Sequence, residues 1–183
     1  MCTWSKRLLC VVIVSLIVVG VGAEFQLVAK QVAVTNADPV LGTWILNLAN
    51  SKYSPGPPPK SQTRTYQEQV SGAETQPMVS TGVKTTVKTV HADGHATSVE
   101  YISKYDGVEY PVTGSPDSDK ITLKKIDSHT AEATVTHAGK EIGSAKRVIS
   151  EDGLTMTITY KGMWEGESVH NVVVFDKQVP TSQ

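Results

Sequence analysis

Cysteine is nearly missing from this chain, and the places where it occurs settle several questions together. Two of 183 residues are cysteines, Cys2 and Cys10. Both fall in residues 1–23, which read as a secretory signal: Lys6 and Arg7 precede an apolar run over 8–21, and Val21-Gly22-Ala23 puts small residues before Glu24. The processed chain is expected to begin near Glu24 without a thiol. That excludes a disulfide, a cysteine nucleophile and a cysteine-ligated metal. Cys10 stands at the start of the apolar run, the wrong end for a lipid-anchored cysteine. The expected location is periplasmic or secreted, with no membrane span after cleavage. The alternative is a membrane tether through an uncleaved signal anchor, because the run is only slightly shorter than the roughly 17 residues a minimal span needs.

Clusters of one charge sign are also absent. The formal net charge is −1, with acidic and basic residues interspersed, whereas a nucleic-acid binder shows a basic stripe. Nucleic acid is therefore not an expected partner. No segment sustains a helical apolar period of three to four. There is no Gly-x-Ser-x-Gly elbow, no glycine-rich phosphate loop and no His-Glu-x-x-His. The chain is accordingly expected not to be an enzyme, with no catalytic residue, cofactor or metal site. The histidines are His91, His95, His129, His137 and His170. His91 and His95 flank the Asp93-Gly94 turn and amount to half a metal site at most; a solvated hairpin end is the plainer reading. Glu100 and Glu132 fall on wet faces by alternation, and with Asp176 they read as exposed charge.

What remains is a succession of strands and tight turns. In Gly42-Thr43-Trp44-Ile45-Leu46-Asn47-Leu48, the side chains of Gly42, Trp44, Leu46 and Leu48 share one face, the one expected to be buried. Further strands are expected over 63–70, 81–91, 97–105, 108–113, 120–126, 131–137, 141–150, 154–161 and 169–177. Their composition is rich in Thr and Val. Asp-Gly pairs at 93–94, 106–107 and 152–153 mark turns. In the strand over 154–161, Leu154, Met156, Ile158 and Tyr160 alternate with threonines and a lysine, one face buried and one wet. Residues 53–60 carry four prolines, which suit a stiff surface loop rather than helix or central strand. A meander with one apolar face hides its edges most easily by closing. The expected fold is all-β: a single antiparallel up-and-down barrel of about 8–10 strands over 38–178. A signal (1–23) and a lead-in or tether (24–37) precede it, and a polar tail (179–183) follows. An immunoglobulin-like sandwich competes, but it usually needs longer crossing connections.

With Gly42-Thr43-Trp44 at the head of the first strand and a meander behind it, the chain resembles the lipocalin and fatty-acid-binding superfamily of calycin-type barrels. The resemblance implies that Trp44 packs at the closed end of the barrel beneath a cation from a late strand, for which Arg147, Lys161 and Lys177 all qualify. It extends to small exported bacterial proteins through Ser54-Pro55-Gly56-Pro57, Lys104-Tyr105-Asp106-Gly107 and Asp152-Gly153-Leu154-Thr155-Met156-Thr157. That group supports the fold and brings no activity with it. The chain departs from secreted lipocalins in having neither a disulfide nor a C-terminal helix, and it lacks the helical pair that caps fatty-acid-binding barrels.

Binding pockets are mostly apolar with a few placed polar groups. On that ground the ligand-binding candidates are the inward polar residues Tyr66, Tyr101, Arg147, Tyr160 and Asn171, each of which equally suits a satisfied core position. Gly42 and Trp44 are expected to be structural. The leading functional expectation is a non-enzymatic exported barrel holding a small hydrophobic or amphipathic ligand. The alternative is an interaction or inhibitor-like envelope barrel with a filled core, which meets a protein partner through loops that include 53–60. A third reading, an enzyme working at the barrel mouth, has no motif behind it.

Overall fold

The computed structural model describes residues 37–72, 78–164 and 166–179. The signal, almost all of the lead-in and the tail beyond Val179 lie outside the described residues. The barrel falls within one compact unit, Thr35–Gln183. It contains ten strands: β1 (Gly42–Lys52), β2 (Ser61–Ser71), β3 (Val79–Val90), β4 (Ala96–Ser103), β5 (Asp106–Pro111), β6 (Lys120–Lys125), β7 (Thr130–His137), β8 (Lys140–Ile149), β9 (Thr155–Trp164) and β10 (Glu167–Lys177). No helix occurs among the described residues.

All ten expected strands are present, and their order in the sheet is β4-β3-β2-β1-β10-β9-β8-β7-β6-β5, every neighbour antiparallel. Pairing of β1 with β10 joins the first strand to the last and curls the meander into a nearly closed barrel, compatible with a calycin-type fold. The edges left over belong to β4 and β5. One isolated bridge, Glu100 with Thr113 just beyond β5, links them.

One end is packed solid. Trp44, Phe175, Met156 and Val40 have no exposed surface, and Tyr66, Ile149, Ile158 and Val173 complete the cluster. The Trp44 indole Nε1 donates to the Val40 carbonyl at 2.8 Å, so the ring is buried without an orphaned donor. Of the three candidate cations the fold selects Lys177, whose Nζ stands 5.0 Å from the Trp44 ring and donates to the Pro39 carbonyl at 2.9 Å. Gly42 makes this possible. It has φ +120°, and a Cβ there would sit 3.1 Å from Lys177 Cε, in the path of the lysine stem.

Three expectations need correction. Leu48 does not share the buried face of Trp44, being 41% exposed. The β1–β10 register slips between Asn47 and Lys52, and a bulge of this kind breaks the simple alternation. Leu154, 47% exposed, belongs to the Asp152-Gly153 turn, where its amide is held by the Asp152 carboxylate; the inward series starts at Met156. The Asp106-Gly107 pair does not form a hairpin tip. Asp106 already opens β5, and the turn is made by Lys104 and Tyr105, with Tyr105 at φ 59°.

Candidate functional site

The described residues contain two arginines, Arg64 and Arg147, and both turn inward. Arg64 lies on β2 two residues from buried Tyr66, opposite Trp44 on β1 and Val87 on β3. Arg147 lies on β8 opposite Ala131 and Ile158, both buried. These strands are far apart in sequence and in the sheet, yet curvature brings their side chains together. The Arg147 guanidinium stands 5.5 Å from the Tyr66 ring and 5.0 Å from that of Tyr105, and Arg64 stands 5.4 Å from Phe175. Arg147 Nη1 donates to the Tyr105 hydroxyl at 2.7 Å, and Arg64 Nε to Gln62 Oε1 at 3.3 Å.

The electrostatics of this layer are one-sided. The ion pairs among the described residues are Lys84–Glu100, His95–Asp93, Lys120–Glu109 and Lys125–Asp38; neither arginine takes part in one. Placing a charge inside a protein is costly unless it is paired and hydrogen-bonded. Here two half-buried cations have aromatic, aliphatic and neutral polar neighbours, and Arg147 Nε and Ser103 Oγ are buried without a hydrogen-bond partner.

The tyrosines register the field. Burial opposes ionisation of Tyr66, but Arg64 and Arg147 outweigh it and hold that hydroxyl below the ordinary tyrosine value. Tyr101 is pushed well up by burial, reinforced by its neighbours Tyr66 and Tyr105. Tyr105 is raised by burial, with Arg147 partly offsetting the rise. Arg64 and Arg147 stay above their ordinary values, because the nearby tyrosines overcome the burial that disfavours their charge.

Arg64, Tyr101, Tyr105 and Arg147 are half-buried. Leu46, Val99, Ala133 and Ala145 point inward by alternation and are half-buried as well, Leu46 and Ala145 packing against the closed-end cluster.

Of the residues expected to bind ligand, the fold gathers Tyr66, Tyr101 and Arg147 in this layer. Tyr160 and Asn171 face each other across β9 and β10 and serve elsewhere. The Tyr160 ring lies against the glycine pair Gly143 and Gly162, where added Cβ atoms would come within 2.3 and 2.6 Å of its hydroxyl. Asn171 Oδ1 accepts from the Ser54 amide at 3.0 Å and anchors the start of the proline-rich loop. In that loop Pro55, Gly56, Pro57 and Pro58 are exposed. His91 and His95 stack in parallel with centroids 4.1 Å apart and an interplanar angle of 3°. His95 Nδ1 lies 2.8 Å from the Asp93 carboxylate, and His91 Nε2 lies 3.0 Å from the Thr97 hydroxyl. Among the described residues no three His, Cys, Asp or Glu side chains group so as to hold a metal ion.

Two members of the cluster escaped sequence reasoning. Arg64 shares the parity of Tyr66, two residues away, so alternation alone was enough to find it. Tyr105 shares the parity of Tyr101 at the end of the strand expected over 97–105, although the structure places it in the turn after β4. No protein-family model matches the chain, and no curated protein matches it.

Proposed function

We infer that this protein is an exported, non-enzymatic barrel that holds a small amphipathic molecule with an anionic head. The head would lie on Arg64 and Arg147 and the apolar part against Leu46, Val99, Ala133 and Ala145. One observation carries this reading: two enclosed guanidinium groups converge without a carboxylate partner among the described residues. Guanidinium groups recognise carboxylate, phosphate and sulfonate by charge-assisted hydrogen bonds. The resemblance to lipocalins and fatty-acid-binding proteins points the same way.

Native mass spectrometry of the protein purified from its exported form tests it. The expected result is a bound small anion, or uptake of an added medium-chain fatty acid at one molecule per barrel. A protein that carries nothing and takes up no fatty acid would end this reading.

Spectrophotometric titration gives a second check. Of the six tyrosines, Tyr66 shifts down while Tyr53, Tyr101, Tyr105, Tyr110 and Tyr160 shift up. One tyrosine should therefore titrate below the ordinary value of about 10, and Tyr66→Phe should remove that step. A bound anion neutralises the guanidinium field, so saturation with ligand should move the early step upward. The stability consequences are opposite in sign. Tyr66, lowered in the folded state, favours folding increasingly as pH rises through its folded pKa toward the unfolded value. Tyr101 and Tyr105, raised in the folded state, favour folding below about pH 10, and that contribution is lost as pH climbs past it. Net alkaline destabilisation follows, with five tyrosines raised and one lowered.

A further inference from the structure

We propose that the ligand reaches the interior sideways, through the seam between β4 and β5, and that the Tyr105 side chain is the latch on that seam. The proposal rests on the interior-binding reading above.

β4 and β5 are consecutive and joined by a two-residue turn, so a regular hairpin would pair them from Ser103 and Asp106 outward. They do not pair that way. Their one contact in the sheet is Glu100 with Thr113, hydrogen-bonded in both directions at 2.9 Å, which is four residues out of step with the turn. Nothing among the described residues bonds the backbone of 101–103 to that of 106–112. On the β6 side, β5 is irregular between Asp106 and Glu109, and Val108 is exposed. This stretch is kept in shape by its own Asp106, which accepts from the Val108 amide and the Tyr110 hydroxyl. The result is a stretch of barrel wall without backbone hydrogen bonds, beside half-buried Tyr101 and buried Ser103 and next to the arginine layer, and this is the proposed slot.

Tyr105 closes this slot. It belongs to the turn, yet its hydroxyl reaches Arg147 Nη1 at 2.7 Å and its ring lies beneath the guanidinium. Its backbone has φ 59°, a left-handed conformation that is unfavourable for a residue with a large side chain. The surroundings hold it there through the Arg147 bond and a hydrogen bond from the Lys125 amide to the Tyr105 carbonyl at 3.1 Å. A neutral hydroxyl is a weaker partner for a guanidinium than an anion is. An anion arriving at Arg147 can therefore replace the Tyr105 hydroxyl, and release of the side chain relieves the turn. Latch and ligand compete for one donor group, so the latch bond breaks where an anion arrives and re-forms when it leaves.

The test is stopped-flow binding of a dansyl-labelled medium-chain carboxylate to the wild type, Tyr105→Gly and Tyr105→Phe. Glycine suits the left-handed turn and removes the ring, so this variant is expected to fold. Phenylalanine keeps the bulk and loses only the bond. If Tyr105 is the latch, association accelerates, by about tenfold or more in Tyr105→Gly and less in Tyr105→Phe, and Kd falls because the ligand no longer competes with the Tyr105 hydroxyl for Arg147. If the association rate is unchanged in both variants and only dissociation quickens, Tyr105 is a ligand contact and the latch is refuted. If the probe does not bind the wild type at all, the interior-binding reading falls and the latch falls with it.

Discussion

Replacing both interior arginines, Arg64→Met with Arg147→Met, is expected to stabilise the barrel and to abolish its hold on anions. Each guanidinium has left water for a site walled by Trp44, Tyr66, Phe175, Ile158 and Ala131 and forms no ion pair there. Substituting buried charges by apolar residues of similar length is commonly neutral or stabilising by about 1–4 kcal/mol. The bonds given up, Arg147 to Tyr105 and Arg64 to Gln62, return about 0.5–1.5 kcal/mol each at most. Desolvation relief should therefore win or break even. Removing one side of an enclosed charge contact costs about 2–5 kcal/mol of binding, a loss of some 30-fold to several thousand-fold. Denaturant midpoints and fatty-acid titrations on the same samples would show the pattern. Large losses in both quantities would mean that the arginines are structural, and the interior would then not be a binding site.

Trp44→Ala should be the most damaging single change in the protein, costing about 3–5 kcal/mol of unfolding free energy. The indole has no exposed surface, lies in one cluster with Phe175, Met156 and Val40, and carries Lys177 above its ring. Truncation opens a cavity at the closed end, orphans the Val40 carbonyl and leaves Lys177 over empty space. Trp44→Phe keeps most of the apolar area and loses the Nε1 bond to Val40, at about 1–2 kcal/mol. Lys177→Met gives up the cation–π contact and the bond to Pro39, at about 1 kcal/mol. With barrel domains this size expected to be stable by only about 5–15 kcal/mol, Trp44→Ala should approach the limit of folding at physiological temperature. Equilibrium unfolding monitored by far-ultraviolet circular dichroism measures all three. A loss below 1 kcal/mol for the alanine variant would show that the closed end is not what stabilises the barrel.

These two experiments separate parts of the molecule that share the inward face of neighbouring strands. Trp44 on β1 and Arg64 on β2 are cross-strand neighbours, one carrying the stability and the other, on the present reading, the binding.

Much of the architecture was legible before any tertiary contact was known. Period-two alternation marks a strand and its wet face whatever it pairs with, so the ten strands and the inward positions of Trp44, Tyr66, Tyr101, Met156 and Ile158 follow from local pattern. Short turns between them dictate a meander, and a meander with one apolar face must close. Alternation failed where pairing imposed an extra residue, as at Leu48, and where a turn claimed the first apolar position, as at Leu154. Parity states which side of the wall a residue occupies and is silent about what stands across the barrel. Three results therefore belonged to the tertiary structure alone. Lys177, not Arg147 or Lys161, covers Trp44, because the register of β1 with β10 sets those two side by side. Arg64 and Arg147 meet because curvature carries β2 and β8 to face each other around Tyr66. Tyr105, a turn residue in the structure, reaches Arg147 beside the place where β4 and β5 do not pair, a contact that parity along one strand cannot state.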